Sequence, residues 1–330
     1  MEQAAQALRQ MIEGRRVAFI GAGVSHRQLI GMFCEMGAQV TLCDKKELEG
    51  FGEYADTLRR LGVALSLGEH YLDGLAGQDI ILRTPGFEYY TPALQQAIAA
   101  GSTVTSEMEL FFQLCPCMRV AVTGSDGKTT TTSLIAAMLQ QAGRTVHLGG
   151  NIGRPLLPVV GEVKESDVAV VELSSFQLIS MRQSPEVAVV TNVTPNHLDH
   201  HKDMQEYIDA KRNILLYQSE ASRTVLGYEN DITRAMEADV KGKLCWFTRL
   251  REIDNGAFLR ADGMLCMAED GVVTPIVHKD EVKLRGLHNI ENLLAAAAAV
   301  WGMVSSEDIA QVARTFAGVE HRIEPVRLLD

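Results

Sequence analysis

The run Arg119-Val-Ala-Val-Thr123 passes directly into Gly124-Ser-Asp-Gly-Lys-Thr-Thr130. A short apolar, β-branched stretch, two glycines within four residues and four consecutive threonines call for a strand, a tight loop and a helix start, in that order. That sequence of elements commits this part of the chain to an α/β layer. It also favours an anion. Glycines let backbone amides approach phosphates, Lys128 supplies a counter-charge for the β and γ phosphates, and Thr129 offers a hydroxyl to magnesium, with the helix dipole adding positive potential. Gly124, Ser125, Asp126, Gly127, Lys128, Thr129 and Thr130 are therefore the expected nucleotide contacts. The pattern departs from the strict G-x-x-x-x-G-K-[ST] form because Val122 stands at its first glycine. The competing reading is an ordinary strand-to-helix turn with a solvated lysine, and the surrounding strand, glycines and threonines outweigh it.

Ahead of this loop, apolar runs alternate with amphipathic stretches: Val17 to Ile20, Leu29 to Met36, Val40 to Cys43, Val63 to Leu67 and Ile80 to Leu82. The rhythm predicts a parallel α/β sheet. It pauses at Cys115-Pro116-Cys117 and restarts with the phosphate-loop strand, so the expected boundary places one domain over 1–117 and a second over 118–318. The second continues through Val168 to Val171 and Val187 to Thr191, a more polar strand-rich stretch from about Val225 to Val282, and an alanine-rich helix over Asn289 to Trp301. A further helix begins near Ser305-Ser306, either of which supplies its N-cap.

Composition removes several function classes. A net charge of −11 without a basic stripe argues against nucleic-acid binding, which needs lysines and arginines to neutralise phosphates. The longest apolar run, around Leu293 to Val304, is shorter than the roughly 18 residues a membrane span requires. Arg15 and Arg16 interrupt any leader-like start. A soluble, cytoplasmic protein without membrane insertion is expected. The six cysteines show no paired metal-ligand spacing and read as reduced thiols.

The loop Thr123-Gly-Ser-Asp-Gly-Lys-Thr-Thr130 resembles the ATP loop shared by Mur ligases and folylpolyglutamate synthetases. Further motifs follow in the order of that family: Gly149-Gly-Asn-Ile-Gly153, Glu172-Leu-Ser-Ser-Phe-Gln-Leu178, Thr191-Asn-Val-Thr-Pro-Asn-His-Leu-Asp199, Ala210-Lys211, His288-Asn-Ile-Glu-Asn292 and His321-Arg322. Together they span nearly the whole chain after residue 120. With Ser106-Glu-Met-Glu-Leu-Phe111, they are most similar to the member that adds D-glutamate, with relatives that add alanine, a diamino acid or a dipeptide as near alternatives.

The resemblance implies an N-terminal Rossmann-like parallel sheet domain and a central P-loop ATPase-type α/β domain. It implies that ATP phosphorylates the carboxylate of UDP-N-acetylmuramoyl-L-alanine and that the amine of D-glutamate attacks the acyl phosphate, with two magnesium ions neutralising charge. Carried over by position, Lys128, Glu172, His197 and Lys211 are the catalytic residues. Thr129 and Glu172 hold one magnesium, and His197 with Lys211 serves the second. Magnesium prefers oxygen ligands, so the resemblance makes Lys211 a carbamate formed with carbon dioxide. Asn289, Asn292 and Arg322 contact adenine or phosphate, and Asn151 and Ser174 the muramoyl substrate. Taken singly, His197 reads as a capping or core residue, Lys211 as a solvated helix lysine, Asn289 as an N-cap and Asn151 as a left-handed turn residue.

In the first domain, Gly21-Ala-Gly-Val-Ser25 follows a strand and Asp44 closes the next, at the spacing of a dinucleotide fingerprint. An NAD-dependent dehydrogenase is thus the rival, and His26 in place of the third glycine speaks against it. The resemblance instead assigns this domain to UDP, with Val24 and Ser25 at the diphosphate and Asp44, Lys45 and Lys46 near uracil and ribose. Thr84-Pro85-Gly86 matches a further substrate loop, or simply a tight turn. A non-catalytic nucleotide-binding module is a third reading. Because Gly318-Val-Glu-His-Arg322 resembles the passage into a third family domain, residues 319–330 are expected to begin a domain that the chain lacks, leaving it able to bind the UDP substrate and unable to ligate D-glutamate.

Overall fold

The computed structural model describes residues 2–196 and 200–318. The chain forms two compact units. Unit 1 comprises Met1–Pro116 together with Gly153–Lys164 and Ile179–Met181, and unit 2 comprises Cys117–Ile152, Glu165–Leu178 and Arg182–Asp330.

Unit 1 is built on β1 (Arg16–Ile20), β2 (Gln39–Asp44), β3 (Ala64–Leu67), β4 (Ile80–Arg83) and β5 (Thr103–Thr105). Their order is β3-β2-β1-β4-β5 and every pairing is parallel. Val17, Ala18 and Phe19 are wholly buried, as expected of a central strand covered on both faces. The helix Val24–Glu35 lays Leu29, Ile30 and Phe33 inward, and the Phe33 ring meets Phe19 edge-on at 5.2 Å between centroids. The order reverses beside β1, so the loops after β1 and β4 flank a crevice at the carboxyl end of the sheet, where such folds take ligands.

Two later segments lodge in this unit because of acidic residues on the helix Glu107–Leu114, whose N-cap is Ser106. The half-buried Glu107 carboxylate accepts the amides of Leu156 and Leu157 at 2.8 Å each. Burial raises its pKa, and these two amides oppose the rise. Glu109 Oε2 accepts the Ser180 hydroxyl at 3.3 Å. Glu107 and Glu109 of the Ser106–Phe111 motif thus anchor residues 153–164 and 179–181.

Unit 2 carries β6 (Met118–Thr123), β7 (Val146–Gly150), β8 (Val168–Glu172), β9 (Val187–Val190), β10 (Arg223–Gly227), β11 (Lys243–Thr248), β12 (Gly256–Leu259), β13 (Met264–Glu269) and β14 (Val272–His278). Among the described residues they form one sheet ordered β14-β13-β12-β11-β10-β9-β6-β8-β7. Pairing is parallel from β7 to β12 and antiparallel from β12 to β14. The helix Leu287–Val300 packs on Lys128–Gln141 in the core, with Leu293, Leu294 and Ala297 beside Leu134, Ile135 and Met138. Its buried alanines, Ala295 to Ala299, let a helix approach its neighbours closely. Ser305 caps the helix Ser306–Thr315 in a reciprocal box with Asp308.

Gly149 and Gly150 close the strand Val146–Gly150. Gly150 has φ +91°, and a Cβ there would overlap the Glu172 carbonyl oxygen of the adjacent strand. All six cysteines are free thiols, four of them buried. Burial pushes the Cys43 and Cys245 thiols up to about 12. No helix among the described residues is long and apolar enough to cross a membrane.

Candidate active site

β6 ends in buried Thr123, and the loop that follows is held by backbone and side-chain bonds from residues after β9. Gly124 has φ +150°, and a Cβ there would overlap Thr191 Oγ1. Ser125 N donates to Asn192 O at 2.8 Å, Ser125 Oγ donates to Thr194 O at 2.9 Å, and Asp126 N donates to Asn192 Oδ1 at 3.0 Å. Thr191 Oγ1 returns a 2.6 Å bond to Asp126 O. Gly127 sits in the left-handed region at φ +79° with Asn292 Oδ1 filling the place of a side chain, and the helix begins at Lys128. Lys128 was expected on an exposed loop. It is a half-buried first helical residue whose Nζ turns back to Gly124 O at 3.0 Å and Ser125 O at 2.9 Å. Thr130 is likewise half-buried.

The first helical turn meets the end of β8. Thr129 Oγ1 donates to Glu172 Oε2 at 2.7 Å, and Asn151 Nδ2 donates to Glu172 Oε1 at 2.8 Å. Glu172 is 1% exposed. Asn151 does not take the left-handed turn conformation, because among described non-glycine residues only Asp270 has positive φ. Its backbone N–H donates to Glu172 O at 2.8 Å, at the last registered pair of β7 and β8, Gly150 with Glu172. Ser174 bonds Gln177 Oε1 through both its N–H and its hydroxyl, at 2.9 and 3.0 Å, tying off the turn that follows Glu172.

Lys211 is 2% exposed on the helix Met204–Leu216, which replaces the solvated-lysine reading. Its Nζ donates to Gly124 O at 2.7 Å and lies 4.6 Å over the Tyr207 ring. Burial, reinforced by Lys128, brings its pKa down to about 7, with Glu172 and Asp126 opposing the fall. Asn289 is not the N-cap of its helix, since Gly286 holds that place. Its Nδ2 donates to Arg285 O at 2.7 Å and its Oδ1 accepts from Asn292 at 3.2 Å. His197 and Arg322 lie outside the described residues.

Two contributors went unnoticed in the sequence. Tyr207 is 1% exposed, its hydroxyl is 3.0 Å from Ser125 Oγ, and its position four residues before Lys211 places both on one helix face. His201, also buried, joins Ser175 Oγ at 2.9 Å to Glu206 Oε1 at 3.1 Å. The carboxylate only accepts, so Nδ1 carries a hydrogen. Neither histidine contact had a local sequence signal.

In unit 1, Gly21 takes φ +80° and the helix Val24–Glu35 starts behind it, with Val24 88% exposed and Ser25 half-buried. Asp44 braces both adjoining loops: Oδ2 accepts Ala22 N and Oδ1 accepts Lys46 N, each at 2.9 Å. Lys45 and Lys46 are exposed beside it. Thr84 faces Gly21, 3.5 Å from the place of its missing Cβ. His26 is buried edge-on to Phe19, with Nδ1 2.8 Å from Gly21 O. Desolvation lowers its pKa to about 4.

Residues 122–300 match the Mur ligase middle domain. The chain is 48% identical over 319 residues to UDP-N-acetylmuramoylalanine--D-glutamate ligase of Acetivibrio thermocellus, covering 97% of this chain and 68% of that protein. It is 44% identical over 330 residues to the ligase of the same name from Ruminiclostridium cellulolyticum, covering 100% of this chain and 71% of the relative. Among solved structures, the UDP-N-acetylmuramate:L-alanyl-gamma-D-glutamyl-meso-diaminopimelate ligase of Neisseria meningitides aligns with TM-score 0.61 at 20% identity, over 93% of this chain and 99% of that one. At that identity the likeness is one of fold.

Proposed function

The chain belongs to the Mur ligase family, ATP-dependent ligases of peptidoglycan synthesis, and from that membership we propose that it supplies the ATP and UDP-substrate sites of an enzyme that joins D-glutamate to UDP-N-acetylmuramoyl-L-alanine. The observation that carries the chemistry is the convergence of Thr129, Glu172 and Lys211 on one phosphate loop. The choice of D-glutamate rests on the relatives of 44–48% identity.

The γ-phosphoryl group of ATP passes to an oxygen of the alanyl carboxylate, giving ADP and an acyl phosphate. The free amine of D-glutamate then attacks the acyl carbon, phosphate leaves, and the nitrogen loses a proton as the amide forms. Such transfer is largely a matter of alignment and charge neutralisation. Lys128 releases its own loop carbonyls to meet the phosphates, while the loop amides and the helix N-terminus add positive potential. Asn289 and Asn292 form the adjoining wall, Asn292 against Gly127.

The Thr129 hydroxyl and Glu172 carboxylate are hard oxygen donors, a fit for magnesium where nucleotide phosphates complete the shell. Magnesium bound there neutralises phosphate charge and aligns the transferring group. Asn151 holds the second carboxylate oxygen, fixing the direction in which Glu172 faces. Lys211 is the residue for the second site, in which His197 also takes part. With its pKa near 7, much of it is a neutral amine at neutral pH, the form that adds carbon dioxide. The resulting carbamate is an oxygen donor and an anion where an ammonium would be repelled.

Unit 1 takes the UDP end. Val24 and Ser25 stand at a helix N-terminus suited to the diphosphate, Asp44 shapes the loops around it, and Lys45 and Lys46 add positive charge. The test, on an enzyme spanning the full length of those relatives, is a phosphate-release and product-mass assay with ATP, magnesium and UDP-N-acetylmuramoyl-L-alanine, offering D-glutamate, L-glutamate, L-alanine and a diamino acid in turn. An amide product with D-glutamate alone is expected. A product with one of the others in its place replaces this reading.

A further inference from the structure

In unit 1 the chain leaves β4 through Arg83 into the turn Thr84-Pro85-Gly86-Phe87, at the point where the sheet order reverses. Phe87 N closes the turn on Thr84 O at 3.0 Å. Arg83 is 1% exposed and heads the fully buried side chains by volume. Its Nη1 donates to Pro85 O and Phe87 O at 3.1 Å each and to Thr84 O at 3.4 Å. Its Nη2 donates to Ser180 Oγ at 2.9 Å, and that hydroxyl donates to Glu109 at 3.3 Å.

Burying a guanidinium is costly, and an apolar side chain would fill the same space at less desolvation cost. What the guanidinium adds is direction. It draws three carbonyl oxygens of one turn toward the protein interior, three partial negative charges that would otherwise be available to face an anion. A lysine is a compact point charge and lacks the planar fork for these acceptors.

We propose that Arg83 is a positioning residue for the uridine diphosphate-bearing substrate, holding the Thr84–Phe87 turn in the shape that this ligand meets. The proposal rests on the assignment of the unit 1 crevice to that substrate. It is tested by calorimetric titration of the wild-type chain, Arg83→Lys and Ser180→Ala with UDP-N-acetylmuramoyl-L-alanine and, separately, with magnesium ATP. Losing bonds to a charged group predicts weakening of the UDP ligand by about tenfold or more in Arg83→Lys. Ser180→Ala gives a smaller loss in the same direction, and ATP affinity is unchanged in both. A folded Arg83→Lys with wild-type affinity, or with equal losses for both ligands, overturns the proposal. Should Arg83→Lys fail to fold, unchanged affinity in Ser180→Ala overturns it. Failure of the wild-type chain to bind the UDP ligand removes the crevice assignment and the proposal with it, a result separate from any effect of substitution.

Discussion

Thr129 Oγ1 and Glu172 Oε2 meet at 2.7 Å although 43 residues separate them in sequence, joining the first turn after the phosphate loop to the end of β8. Glu172→Gln keeps the shape and an oxygen for Thr129 while removing the charge. Loss of a charge aimed at the reacting phosphates is expected to lower ligation, in an enzyme spanning the full length of the relatives, by about 100-fold or more. Circular dichroism should be unaltered. A wild-type rate in Glu172→Gln would remove this carboxylate from the chemistry.

Gly150→Ala combines a left-handed backbone with overlap on the Glu172 carbonyl, whereas Gly143 at φ +77° has open space around its missing Cβ. The first substitution is expected to cost about 2–4 kcal/mol and the second about 1 kcal/mol, measured as shifts in urea unfolding. Equal costs would mean that β7 moves freely away from β8.

His26 sets a pH dependence. Its pKa falls from 6.5 to about 4 on folding, so between those values the unfolded chain binds more protons than the folded one. Its contribution is full above pH 6.5 and is lost as pH falls toward 4, with a slope of up to about 1.4 kcal/mol per pH unit. His26→Phe should flatten the stability profile in that window. An unchanged slope would assign the dependence to other groups.

In an enzyme spanning the full length of the relatives, Lys211→Ala is expected to abolish ligation, with partial recovery on adding a small carboxylate to the medium. The carboxylate restores the oxygen donor that the lysine carbamate supplies. Full activity without additive would take the carbamate out of the account.

Much of this architecture was legible because parallel strands buried on both faces read as continuous apolar runs, as in Val17–Ile20 and Val168–Val171. The strand Thr103–Thr105 was not, being three residues long and flanked by polar neighbours. Nor was the return of residues 153–164 and 179–181 to unit 1, which depends on Glu107 and Glu109 meeting partners about 50 and 71 residues away. Local defaults misread Asn151 and Lys128, since a turn asparagine and a solvated lysine are the ordinary outcomes and only Glu172 and the loop carbonyls redirect them. That Lys211 is more than a solvated helix lysine was suggested by family resemblance and not by its helix. Tyr207, one turn earlier, was available from spacing alone.

The central claim is that the phosphate loop of unit 2 takes ATP while the crevice of unit 1 takes the UDP-bearing substrate. Calorimetric titration of Lys128→Ala and Asp44→Ala with each ligand tests it most directly. The account predicts that Lys128→Ala loses magnesium ATP and keeps UDP-N-acetylmuramoyl-L-alanine, while Asp44→Ala does the reverse. Loss of both ligands in either folded variant, or unchanged ATP affinity in Lys128→Ala, would contradict it.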